Sequence, residues 1–173
     1  MAMLVCLIIL CMPLLIHGED CRSSGRVKGT DPNCNTKYPE GTPGCCIFNQ
    51  AYNTYDCSPP VSSRTPAILK ETGFVPKGSG GLPDKCAGDY HSDEELVVVL
   101  SSGWFDNKRR CGKMININGN GKIVEAKVVD ECDSTRGCDK PDNRPPCENN
   151  ILQASAAVWK AMDLQDKGYG LFN

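Results

Sequence analysis

Between Lys122 and Val128 apolar and charged residues take turns, with Val124, Ala126 and Val128 set against Glu125 and Lys127. A period of two puts one face of the chain in a core and the other in water, so the pattern predicts a strand buried on one side. The strand runs into Asp130-Glu131-Cys132. Upstream, the β-branched run Leu96-Val97-Val98-Val99-Leu100 predicts a buried strand. Met114, Ile115 and Ile117 lead into Asn118-Gly119-Asn120-Gly121, and the chain returns at Ile123, which is the signature of a hairpin. Thr65 to Leu69 is a candidate first strand, with Ala67 and Leu69 inward. Downstream, Ile151, Ala154, Ser155, Val158, Trp159 and Met162 recur at helical spacing, with Asn149 or Asn150 placed to cap the helix.

Neither period is sustained from Cys21 to Pro60, where Gly, Pro, Asn and Thr dominate. Five cysteines lie in that stretch, so its shape must come from cross-links. Because the number is odd, at least one bridge must cross into the later region. The run Lys77-Gly78-Ser79-Gly80-Gly81-Leu82-Pro83 predicts a surface loop; it lacks the Lys-Ser/Thr ending of a phosphate loop.

Composition narrows the class. From Leu4 to Ile16 the chain is apolar and uncharged, too short for the ~20 residues of a membrane span but suited to a secretory leader. A leader of residues 1–18, ending at Gly18, would be followed by a cysteine-rich flap over 19–60 and a barrel domain over 61–173. Cys6 and Cys11 fall in that leader. The other ten, Cys21, Cys34, Cys45, Cys46, Cys57, Cys86, Cys111, Cys132, Cys138 and Cys147, predict five disulfides in an oxidising compartment. Zinc would need paired histidines or closely spaced cysteine pairs, and after the leader only His91 remains, so no metal is expected. Lys+Arg 19 against Asp+Glu 21 gives a net charge of −2, which argues against nucleic acid as a partner.

Several motifs taken together resemble the kiwellin (ripening-related) family of plant secreted proteins. They are Tyr90-His91-Ser92-Asp93, Ser102-Gly103-Trp104-Phe105, Val128-Val129-Asp130-Glu131-Cys132-Asp133-Ser134, Gly137-Cys138-Asp139, and Pro145-Pro146-Cys147 with Asn149-Asn150-Ile151. Cys21-Arg22, Thr54-Tyr55 and Cys57-Ser58-Pro59-Pro60-Val61 also fit, so the likeness runs roughly from Cys21 to Met162. The resemblance implies a mainly β fold: a six-stranded double-psi β-barrel of the RlpA or barwin type, with a short C-terminal helix and a disulfide-stapled N-terminal flap. It implies a monomeric protein of the apoplast, detached from any membrane once its leader is removed. Its partner would be a secreted pathogen protein, such as a fungal chorismate mutase. Similarity to barwin and expansins keeps a second reading open, in which the partner is a cell-wall polysaccharide that the protein binds or loosens. Family members carry a further strand after the helix. Here Lys167-Gly168-Tyr169-Gly170-Leu171-Phe172-Asn173 departs from it, which predicts a truncated final strand and an open sheet edge.

Two loops are the expected contact surface: Tyr90, His91 and Asp93 on one, and Trp104, Phe105, Asn107, Lys108, Arg109 and Arg110 on the other. Trp104 and Phe105 carry a competing expectation, that they plug the barrel. Asp130 matches the acid that expansin-like sequences place before a cysteine, but Gln153 stands where the resemblance would put the second acid. Gln supplies neither a proton nor a base near neutral pH, so no catalytic residue is expected. For Asp130 the plainer expectation is a carboxylate accepting loop N–H groups at the barrel mouth. Nothing in the motifs calls for a cofactor.

Overall fold

Asn120 and Gly121 have φ angles of 50° and 73°, the left-handed pair that suits the twist of a two-residue hairpin. They join strand β5 (Met114–Gly119) to β6 (Lys122–Cys132) in the register Met114↔Lys127 through Gly119↔Lys122. Around this hairpin the computed structural model describes residues 21–34, 44–76, 82–139, 143–165 and 170–172. The expected leader, and the loop from Lys77 to Gly81, lie outside the described residues.

On its other side β6 pairs in parallel with β4 (Val97–Ser101), which pairs antiparallel with β7 (Ile151–Ala154). β7 runs parallel to β3 (Ala67–Glu71), and β8 (Gly170–Phe172) lies antiparallel against β3. The order is β5-β6-β4-β7-β3-β8, and the sheet curls so that β5 and β8 approach without pairing. Its two parallel pairs, β3–β7 and β4–β6, give the expected double-psi arrangement. Two short helices lie wholly within the described residues, α1 (Ser102–Phe105) and α2 (Ala156–Ala161).

A bulge explains why β4 is apolar on both faces from Val97 to Leu100. Val98 faces Val128 in the ladder but Val99 faces Asp130, so Val129 is an extra residue. Val128 then belongs to the main core with Val98, Leu100, Phe105 and Val158, while Val129 joins Phe74, Val97 and Val99 in a second cluster. With both faces covered, β4 is buried from end to end.

Four expectations are corrected. The helix expected from Ile151 begins only at Ala156, because residues 151–154 are strand β7, hydrogen-bonded on both sides. Its cap is Ser155, whose side chain accepts from the Val158 N–H, and not Asn149 or Asn150. Ser155 Oγ also donates to the Glu95 carbonyl at 2.6 Å, so a hydroxyl is needed where the chain leaves the sheet. The first barrel strand starts at Ala67 rather than Thr65, whose hydroxyl instead closes a turn onto the Pro60 carbonyl at 2.8 Å. And the edge of β3 is not open: residues 170–172 supply the sixth strand, pairing Leu171 with Ile68, although it is only three residues long.

The flap is more regular than its sequence suggests. β1 (Gly25–Lys28) and β2 (Ala51–Thr54) form a two-stranded antiparallel sheet. Cys21–Cys57 and Cys34–Cys45 staple it internally, and Cys46–Cys138 ties it to the barrel, the crossing bridge that the odd cysteine requires. Cys86–Cys111 and Cys132–Cys147 complete the five, so all ten cysteines are paired as expected.

Candidate binding surface

Parallel β4 and β6 end side by side, and the segments beyond their C-terminal ends build a polar basin of about 400 Å³. α1 begins directly after β4 and contributes Ser102 and Gly103, while β6 runs out through Glu131 to Asp133 and Thr135. Glu131 and Asp133 are two apart at the end of an extended strand, which sends both carboxylates to one side. Ser102 Oγ donates to Glu131 Oε1 at 2.5 Å and accepts from the Ser134 N–H at 2.8 Å. Lys85 Nζ meets Glu131 Oε2 at 3.0 Å. Asp133 Oδ1 accepts from the Thr135 N–H and hydroxyl and from the Arg136 N–H. Burial pushes the Asp133 carboxyl up, but the Thr135 bonds, the charge of Lys85 and the Arg136 N–H outweigh it and hold it below the usual carboxylate range. Asp56 from the flap and Asp106 from the loop after α1 also line the basin.

Gly103 fits only because it lacks a side chain. A Cβ there would stand 2.1 Å from the Ser58 nitrogen, so the flap backbone lies directly on α1. Trp104 reinforces the contact, its Nε1–H donating to the Pro59 carbonyl at 2.8 Å and its backbone N–H to Ser58 Oγ at 3.1 Å.

The structure does not merge the expected contact residues into one patch. Tyr90, His91 and Asp93 precede β4 and the other six come after it, so a fully buried strand separates the two loops. Trp104 and Phe105 are buried, 6% and 2% exposed, and pack in the main core; the exposed platform is corrected in favour of the barrel plug. Asp93 is a pin, its Oδ1 accepting from the Phe74 N–H and its carbonyl from the Ala157 N–H. Tyr90, Asn107, Lys108 and Arg109 are exposed, and Asn107 lines the basin. Arg110 instead lines an apolar groove beside β5.

His91 is a clamp. Its Nε2 lies 2.7 Å from Asp84 Oδ2 and its Nδ1 3.1 Å from Glu95 Oε2, with the ring edge-on to Phe74. Ionised carboxylates only accept, so making both bonds takes an imidazolium with two N–H groups. Burial pushes Asp84 up, but the Ala87 and Gly88 N–H groups and His91 together hold it low; Glu95 is held low by the Ser92 N–H and by His91. A carboxyl lowered in the folded state contributes stability above its unfolded value of about 4, and that contribution is lost as pH falls through the folded value. Acid titration of His91→Gln should therefore show unfolding at higher pH than the unsubstituted protein, followed by circular dichroism. Superimposed acid limbs would show that the clamp contributes nothing to stability.

The loop after α1 stores backbone strain. Asp106, Asn107 and Lys108 have φ of 55°, 50° and 68°, three consecutive left-handed residues without a glycine. The Arg109–Asp106 ion pair at 2.7 Å and the Cys86–Cys111 disulfide hold it in place. Lys108→Gly should relieve about 1–2 kcal/mol of left-handed strain against a glycine entropy cost of about 0.5–1 kcal/mol. A small rise in melting temperature is expected; a fall would mean that the Lys108 side chain makes a contact worth more than the strain.

Asp130 Oδ1 accepts from the Lys85 N–H at 3.0 Å and the Glu131 N–H at 2.7 Å. Burial raises its carboxyl above the ordinary value, and those N–H groups with the charge of Lys85 only partly offset it. Gln153 faces Val99 from β7 as Asp130 faces it from β6, so the two stand in one row across the sheet. The carboxylates that converge are others: Asp56, Asp106, Glu131 and Asp133. Among the described residues no group of three His, Cys, Asp or Glu side chains is arranged to hold a metal ion.

The family described as Kiwellin-1 matches residues 7–170. The chain is 52% identical over 135 residues to "Kiwellin" of Actinidia chinensis var. chinensis, covering 77% of this chain and 62% of that protein. It is 50% identical to "Ripening-related protein grip22" of Vitis vinifera, over 77% of this chain and 61% of the relative. "Putative ripening-related protein 2" of Oryza sativa subsp. japonica is 40% identical, with 96% of this chain and 90% of the relative covered. The chain thus spans about three-fifths of the length of the first two relatives. Among solved structures, "Streptomyces papain inhibitor (SPI)" superposes with a TM-score of 0.47 at 14% identity, over 65% of this chain and 92% of that one.

Proposed function

The chain belongs to the kiwellin family, and from that premise we propose that it is a secreted plant ripening- or defence-related protein that works by binding other proteins and not by catalysis. The observation that carries this reading is the cross-linking. Cys86–Cys111 staples the loop that leads to Tyr90 to the loop that carries Lys108 and Arg109, and Cys132–Cys147 staples the segment flooring the basin. Loops fixed before a partner arrives lose little conformational freedom on binding, which is what a protein-recognition surface needs. Five disulfides favour an extracellular site, here the apoplast, and no described helix is long and apolar enough to cross a membrane. The partner we propose is a secreted pathogen protein, a fungal chorismate mutase being the first to try.

Capture from infected plant wall fluid on the immobilised protein, followed by mass spectrometry and by titration with a purified chorismate mutase, tests this. A saturable complex with a secreted microbial protein is the expected result. Retention of wall polysaccharide alone would replace it with the carbohydrate reading.

The acidic basin keeps that second reading in view, because four carboxylates line one cleft. Cellulose, xylan and chitin should nevertheless release no reducing sugar between about pH 4 and 7, since the row that holds Asp130 carries Gln153, two strands away, and no second acid. Turnover abolished by Asp130→Asn or Glu131→Gln would overturn the binding reading; wall extension without hydrolysis would favour an expansin-like role.

A further inference from the structure

Among the described residues, strand β5 has one partner. Its ladder to β6 starts from the two-residue turn, so the N–H and C=O groups of Gly119, Ile117 and Ile115 point to β6 and those of Asn118, Asn116 and Met114 point away. The outward groups have no hydrogen-bond partner among the described residues, because β8 is three residues long and pairs with β3 alone. Sheet edges are commonly blunted by proline, by lysine or by shortness. β5 is six residues long and reads Met-Ile-Asn-Ile-Asn-Gly, with no charge and no proline.

Along this edge runs a groove of about 360 Å³. Four consecutive β5 residues, 115 to 118, form one wall, as they must if the groove tracks the strand's edge and not one of its faces. Across from them stand Val61 to Leu69, and the floor is the barrel interior at Leu100, Trp104 and Leu152. Exposed Val61 and Ile123, 62% and 70% accessible, flank it. Arg110 is the single charged residue among its described lining and makes no ion pair among the described residues.

We propose that this seam is a further protein-recognition site beside the stapled loops, and that its occupant is an extended segment of a partner protein that adds to β5 as a strand. This rests on the protein-binding reading above and names the partner's local chemistry. The three outward residues of β5 supply the backbone bonds, which set the segment's conformation whatever its sequence. Alternate side chains then point into the groove, where the walls select aliphatic ones. A carboxylate, from Asp, Glu or the segment's C-terminus, pairs with Arg110. The occupant is thus a strand of alternating aliphatic and polar residues bearing an acidic group, and a groove of this volume takes two or three side chains, not a folded surface.

The test uses the full disulfide-bonded protein and the probe peptide acetyl-Val-Thr-Val-Thr-Val-Asp, with acetyl-Val-Thr-Val-Thr-Val-Lys-amide as its counterpart. Hydrogen exchange at the amides of Met114, Asn116 and Asn118 should be fast in the free protein and slow with the acidic peptide. Asn116→Pro removes an outward N–H from an exposed edge position where proline is tolerated, and should abolish binding while the melting temperature holds. Arg110→Glu leaves the edge intact and should weaken the acidic peptide by about tenfold or more while favouring the lysine peptide. Slow exchange at those three amides without peptide would show the seam already closed and overturn the proposal, as would protection that both variants leave unchanged. If Asn116→Pro and Arg110→Glu still capture the wall-fluid partner with full affinity, protein binding stands and the seam is the wrong site. If the unsubstituted protein captures none, the function itself falls.

Discussion

Trp104→Ala is expected to cost about 3–5 kcal/mol of stability, the usual loss on truncating a buried aromatic. Trp104 is 6% exposed, packs in the main core and donates from Nε1 to the Pro59 carbonyl, so the substitution opens a cavity and unfastens the flap together. For a chain of this size the melting temperature should fall by on the order of 10 °C. Tyr90→Ala, at a residue 44% exposed, should stay within about 0.5 kcal/mol of the unsubstituted protein. Calorimetry on both separates the two roles that the sequence leaves open for Trp104. An unchanged melting temperature with weakened partner binding would return Trp104 to the contact surface.

Removing Cys46–Cys138 should destabilise more than removing any other bridge. A cross-link acts largely by limiting the unfolded chain, and its effect grows with the loop it closes. Cys46 and Cys138 are 92 residues apart and Cys34 and Cys45 only 11, which predicts about 4–5 kcal/mol for the first pair and about 3 for the second. Paired Cys→Ala substitutions with denaturant titration check the order. Equal losses would mean that contacts between flap and barrel, such as the Tyr55 N–H to the Ser134 carbonyl, already hold the flap without the bridge.

The parts legible in the sequence are those whose signals are local. Asn118 to Gly121 fixed the hairpin because a two-residue turn with paired left-handed dihedrals has few other sequences. The alternation from Val124 to Val128 and the β-branched run at Val97 marked β6 and β4 for the same reason. Ile151 to Ala154 misled because three of the four residues of this short strand between two others are apolar, and joined to Val158 and Trp159 they fit a helical period equally well. β1 and β2 carry little apolar content and are held by cystines, so no periodicity marks them. The basin escaped for a different reason. Asp56, Ser102 with Asp106, and Glu131 come from three separate segments that only the fold brings together, and the i, i+2 pair of Glu131 and Asp133 was the one hint.

The pairing of β3 has a consequence for how the chain is made. Its two neighbours are β7 and β8, whose residues lie some eighty and a hundred positions later, so β3 leaves the ribosome long before either exists. Contacts this remote in sequence close slowly, and a strand waiting for its partners exposes apolar surface meanwhile. Cys46 waits in the same way for Cys138, next to Cys45, whose own partner Cys34 is already present. A Cys34–Cys46 link made in that interval would have to be undone by thiol exchange before the barrel could close. The yield of this protein is therefore expected to track the supply of isomerase more closely than the rate of translation.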